Sequence, residues 1–98
     1  MNKKEHLMVV AMEECAEIQQ AIAKSLRFGL QDHRPETPTV TNEQEILTEY
    51  YQLMAVMEML QQEGLHQPDS EVIQQIKQQK KAKVLKYMAY AKEQGCIS

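Results

Sequence analysis

The chain has 98 residues, of which 43% are hydrophobic and 26% charged, and a formal net charge of −3. This length and composition suit one ordinary globular domain, residues 1–98, and exclude a disordered or fibrous chain. The charge gives no general attraction to nucleic acid or anionic membrane, and the small core such a chain can build makes self-association a useful source of further burial.

The first predicted element is a long helix. Lys3 and Lys4 precede its apolar run, Leu7 to Met12, which is followed at once by Glu13 and Glu14. That run is far short of the roughly 20 residues a membrane span needs, and no small-residue cleavage site follows it, so a cytoplasmic chain with no membrane partner is expected. Cys15 and Cys96 show neither Cys-x-x-Cys nor Cys/His ligand spacing, so reduced thiols are expected rather than a disulfide or a zinc site. The helical period ends before Gly29. Residues 30–41 then carry Asp32, Pro35, Pro38 and three threonines, which is loop composition.

A second helix is predicted from about Asn42 to Gln62. Thr41 or Asn42 can cap it, Glu43 and Glu45 occupy its first turn, and Gly64 stands where a C-terminal glycine belongs. Pro68, Asp69 and Ser70 open a third helical stretch without Gly or Pro until Gly95. Its apolar phase is uneven: Val72, Ile73 and Ile76 face one way, while Val84, Leu85, Met88 and Ala91 centre about 100° further round. Either the stretch breaks near residues 78–81 or it touches two partners. No strand-like alternation occurs, so the expected fold is all-α: a compact helical bundle of three to four helices that assembles as an oligomer.

On a wheel of 100° per residue, Leu7, Val10, Ala11, Ile18, Ala21 and Ile22 form the apolar stripe of the first helix. Glu14 falls about 20° from the centre of that stripe, Glu17 about 80° away at its edge, and Glu13 at about 120°. In the second helix, Ile46, Tyr50, Leu53, Met57 and Leu60 form the stripe, with Glu49 inside it and Glu45 and Gln52 flanking it. Carboxylates on a face meant for burial require a compensating charge. Glu14/Glu17 and Glu49/Gln52 are each three apart and so make neighbouring oxygen-bearing pairs; two such pairs face to face form a cage. Oxygen ligands without His or Cys suit magnesium or manganese. The same glutamates could instead line a solvated groove or pair with Lys24 and Lys80.

These residues also carry a family resemblance. Glu13-Glu14-Cys15-Ala16-Glu17 matches the Glu-Glu-x-x-Glu motif of the all-α nucleoside triphosphate pyrophosphohydrolases, and the following Lys24-Ser25-Leu26-Arg27-Phe28-Gly29 resembles the small MazG-like members often encoded by phages. Similarity continues through Glu49 to Leu60 and from Lys80-Lys81-Ala82-Lys83-Val84 to Gly95. The resemblance implies a magnesium-dependent hydrolase that cleaves a nucleoside triphosphate to the monophosphate and pyrophosphate. It implies Glu14, Glu17 and Glu49 as metal ligands, with Gln52 at the fourth position, and Glu13 as the residue that orients or deprotonates water. It also implies Lys80 or Lys83 as a triphosphate contact, while Lys24, on the flank of Glu17 two turns later, and Arg27 are candidates from their place on the first helix. A homodimer or tetramer is the expected assembly, with no nucleic-acid partner. The family's second motif is Glu-x-x-Asp, whereas this chain has Glu49-Tyr50-Tyr51-Gln52, and a neutral amide there weakens cation attraction, with Glu45 a candidate substitute. The alternative is therefore a catalytically weak helical module that binds nucleotide or protein.

Overall fold

A computed structural model describes all residues, Met1–Ser98. It is all-helical, with three helices: α1 (Lys3–Phe28), α2 (Asn42–Gln62) and α3 (Ser70–Glu93). The only β-type pairing is an isolated antiparallel bridge between His33 and Thr41 in the α1–α2 loop. No helix is long and apolar enough to cross a membrane. The chain divides into two units, Met1–Leu65 and His66–Ser98.

Each helix begins on a side-chain cap. Asn2 and Thr41 close reciprocal capping boxes with Glu5 and Gln44, so two otherwise unpaired N–H groups are satisfied at each of these N-termini. Asp69 accepts from the Val72 amide at 2.9 Å and starts α3. Thr41, rather than Asn42, is thus the cap of α2, and Asn42 is left free for another task.

That task is the α1–α2 hinge. Gly29 ends α1 at φ +101°, a conformation that disfavours any residue with a Cβ. Asn42 is buried at 4% exposure, and its Nδ2 donates to the Gly29 carbonyl at 2.9 Å. Next to it, the Asn42 amide donates to the Asp32 carbonyl at 2.8 Å and the Glu43 amide to the Leu30 carbonyl at 2.9 Å. These three bonds tie the start of α2 to the end of α1.

The two helices then run antiparallel. Lys24 meets Glu45 near the hinge, and Lys3 meets Glu63 at the far end, both at 2.8 Å. Between them the core is thin: Leu7, Ala21 and Leu60 are buried, while Val10, Ala11, Ile18, Ile46 and Leu53 are half-buried. The stripes predicted from periodicity do face the partner helix at these positions. Tyr50 departs from its expected packing role, since it is 45% exposed and leans on the more exposed Tyr51 with ring centroids 4.9 Å apart.

In the second unit, α3 is one uninterrupted helix through residues 78–81, so its change of apolar phase marks no break. No Gly or Pro interrupts those residues, and the Gln/Lys/Ala composition has good helix propensity. α3 has no buried residue.

The hinge gives a direct test. Asn42→Ala removes the only side-chain donor on the Gly29 carbonyl and should cost about 1 to 3 kcal/mol. Urea unfolding followed by circular dichroism should show that loss as a lower midpoint with an unchanged slope.

Candidate functional site

α1 presents Glu14 and Glu17 one turn apart, and α2 presents Glu49 across from them. One carboxylate oxygen from each lies within 4.8 Å of the other two. Glu14 and Glu49 are half-buried, while Glu17 is exposed. Glu14 Oε2 and Glu49 Oε2 are closed off from solvent and receive no hydrogen bond. A buried carboxylate oxygen without a donor is costly, because the water it lost has not been replaced.

Crowding of the three carboxylates also favours the protonated form of Glu49. A hydrogen bond shared with the Glu17 carboxyl, burial, and the negative charges of Glu17 and Glu14 push the Glu49 carboxyl from 4.5 up to about 7. A proton between Glu49 and Glu17 converts one repulsive pair into a donor–acceptor pair. A cation could do the same for all three groups, with an oxygen-only donor set suited to a hard ion.

The cluster opens into a cavity of about 380 Å³ whose lining includes Glu17, Lys24, Arg34, Glu45, Thr48 and Glu49. Its two ends differ in charge. Glu17 and Glu49 make one end acidic. Two turns further along α1, Lys24 Nζ pairs with Glu45 Oε2 at 2.8 Å, and Arg34 Nε approaches Glu45 Oε1 at 3.6 Å. Glu45 is therefore committed to the basic end rather than to the acidic cluster, contrary to its suggested role as a substitute for an aspartate at Gln52.

The remaining candidates are not among the three clustered carboxylates. Glu13 is exposed on α1, and Gln52 is exposed one turn beyond Glu49. Arg27 stacks on the Phe28 ring, 4.9 Å from its centroid, and helps line an adjoining hollow with Gln20, Ala23, Lys24 and Arg34. Lys80 and Lys83 are exposed residues of α3, in the 66–98 unit.

Arg34 is the site residue that periodicity missed. It sits in an irregular loop, where no helical wheel applies. Its backbone carbonyl accepts from the Thr37 amide at 3.1 Å. The only sequence signal is a single arginine immediately before Pro35, which composition alone does not distinguish from a solvated charge.

The raised Glu49 carboxyl sets a pH dependence for the metal-free protein. The folded state holds a proton that the unfolded chain releases, so this contribution to stability is fully present below about 4.5 and is lost as pH rises through about 7. Thermal unfolding in the presence of a chelator should give a melting temperature that falls across that window. Glu49→Gln, which cannot ionise, should flatten the fall.

No protein-family model matches the chain, and neither a curated protein nor a solved structure shows significant similarity to it.

Proposed function

We propose that the chain is a small MazG-like nucleoside triphosphate pyrophosphohydrolase that uses magnesium, or manganese in its place, to cleave a (deoxy)nucleoside triphosphate to monophosphate and pyrophosphate. The observation that carries this reading is the meeting of Glu14, Glu17 and Glu49, with two carboxylate oxygens closed to solvent and lacking any donor. Those are the three residues that the family resemblance singles out as ligands, Glu14 and Glu17 through its first motif and Glu49 through its second.

The donor set fits a hard divalent cation, since all three groups offer carboxylate oxygen and the orphaned atoms need positive charge. Glu14, Glu17 and Glu49 would hold that ion, which supplies charge neutralisation for phosphate oxygens and lowers the pKa of bound water. Exposed Glu13, on the same helix, orients or deprotonates the attacking water in this reading. Lys24, on the cavity wall beyond Glu17, attracts the polyphosphate and keeps it extended along α1.

Self-association belongs to the same proposal. Large apolar side chains stand in water on both units, among them Leu26 at 84%, Leu47 at 50% and Leu85 at 65% exposure. A homodimer or tetramer would cover such surface. The free, exposed Cys15 and Cys96 suit a reducing cytoplasm.

One observation favours a second reading, a catalytically weak module that binds nucleotide or protein. Gln52 stands where the resembled motif has aspartate, so the cage has one negative charge fewer than the motif supplies.

A pyrophosphate-release screen of canonical and modified nucleoside triphosphates with magnesium or manganese tests the enzyme reading. Release is expected, with Glu14→Gln and Glu17→Gln lowering it at least about tenfold and Gln52→Asp raising it. Release that survives both glutamine substitutions would remove the carboxylate cluster from the chemistry. If neither the wild type nor Gln52→Asp turns over any nucleotide while both bind metal, the binding-module reading replaces the enzyme.

Millimolar magnesium or manganese should also raise the melting temperature of the wild type through mass action. Glu14→Gln should diminish that rise. Light scattering at micromolar concentration should give a dimer or tetramer; a monomer would overturn the proposed assembly.

A further inference from the structure

We infer that Glu45 is a built-in stand-in for phosphate: it occupies an anion site made by Lys24 and Arg34, and an incoming polyphosphate displaces it from them. This deepens the proposed function and rests on the reading that the cavity takes a polyphosphate. It adds Arg34 as an anion-binding residue and gives Glu45 a competitive role.

Lys24 and Arg34 come from different elements, α1 and the loop, yet both line one cavity and both approach the same carboxylate. Each takes a different oxygen of Glu45: Lys24 Nζ reaches Oε2 at 2.8 Å and Arg34 Nε faces Oε1 at 3.6 Å. The first is a hydrogen-bonded ion pair with both side chains largely covered, at 27% and 19% exposure. The second is too long for a hydrogen bond.

Arg34 therefore meets Glu45 by charge alone. Its side chain is 60% exposed, so its guanidinium donors stay open to an incoming anion. A guanidinium offers five N–H donors in a planar fork that matches the paired oxygens of carboxylate or phosphate. A phosphate oxyanion would satisfy that fork better than a carboxylate oxygen 3.6 Å away. Two cations around one carboxylate also leave this end of the cavity one positive charge in excess.

The position of Glu45 supplies the competition. It lies one turn before Glu49 on α2, while Lys24 lies two turns after Glu17 on α1, about 10 Å along the helix axis. An extended polyphosphate with one end at Glu17 and Glu49 thus reaches Lys24 and Arg34 with its other phosphates. There it meets the Glu45 carboxylate, which repels it and already holds both cations. Glu45 keeps Lys24 and Arg34 aimed into the cavity while it is empty, at the expense of affinity when a ligand arrives.

Isothermal titration with inorganic tripolyphosphate, in chelator and at fixed low ionic strength, tests this without metal or turnover. Glu45→Gln keeps a carbonyl acceptor for Lys24 but removes the competing charge, and should lower the dissociation constant by about tenfold. Arg34→Ala, an exposed position that should leave the fold intact by circular dichroism, should raise it by a similar factor. A purely structural Lys24–Glu45 pair predicts the opposite sign or no change for Glu45→Gln. Either of those results overturns the inference, as does unchanged affinity in Arg34→Ala or absence of binding by all three proteins at millimolar tripolyphosphate. The two readings fail separately. The expected tripolyphosphate pattern without any nucleotide turnover sustains the anion site and removes the hydrolase. Turnover with tripolyphosphate affinity indifferent to both substitutions does the reverse.

Discussion

The geometry of residues 1–65 depends on the bond from Asn42 to the Gly29 carbonyl. Helix ends leave carbonyls without partners, and a carbonyl at a chain reversal must find one nearby. The Gly29 carbonyl accepts from the Asp32 amide at 3.3 Å and, more closely, from Asn42 in the first turn of the following helix, so the end of α1 and the start of α2 are fixed together. Every later pairing follows from that start. Going down α2 from Asn42, Glu45 arrives at Lys24 and Glu49 arrives at Glu17 and Glu14, while Glu63 closes on Lys3. The register follows from the three bonds that anchor the start of α2 and from the helical rise.

That register places like charges together where apolar contact would be more stable. With Leu7, Ala21 and Leu60 as the buried apolar residues, the α1–α2 interface has little hydrophobic free energy to set against three crowded carboxylates. The raised Glu49 carboxyl is the measure of this conflict. A fold selected only for stability would place Leu or Met at Glu14 and Glu49, since both point toward the partner helix and both carry an oxygen that nothing satisfies. Stability conceded at one spot by several groups at once is the usual mark of a site.

Much of this was legible in the sequence because helices translate spacing into direction. The limits of α2, Asn42 and Gln62, follow from its capping residues and Gly64, and Gly29 marks the end of α1. Glu14 and Glu49 could be singled out because each interrupts an apolar stripe, and the structure brings both into the same cluster. Three things were beyond that method. Asn42 reads as one of two possible caps, with Thr41, since capping and clamping use the same side chain and only tertiary structure decides between them. Arg34 lies in a loop without a period. The phase change in α3 reads equally as a break or as a helix with two partners, because periodicity reports which faces are apolar and says nothing of whether the backbone bends.

The hinge also determines where the chain tolerates a change in length. The bonds from Asn42 and Glu43 return to Gly29, Leu30 and Asp32, so residues 33–41 form an excursion whose two ends are already joined. Insertion of a residue in that excursion lengthens a loop and leaves both helices in step. The same insertion between Asn42 and Glu49 would turn Glu49 by about 100° and carry it off the face it shares with α1. The loop can therefore change length without moving the helices out of step, whereas the seven-residue interval from the buried Asn42 to the half-buried Glu49 acts as a fixed ruler.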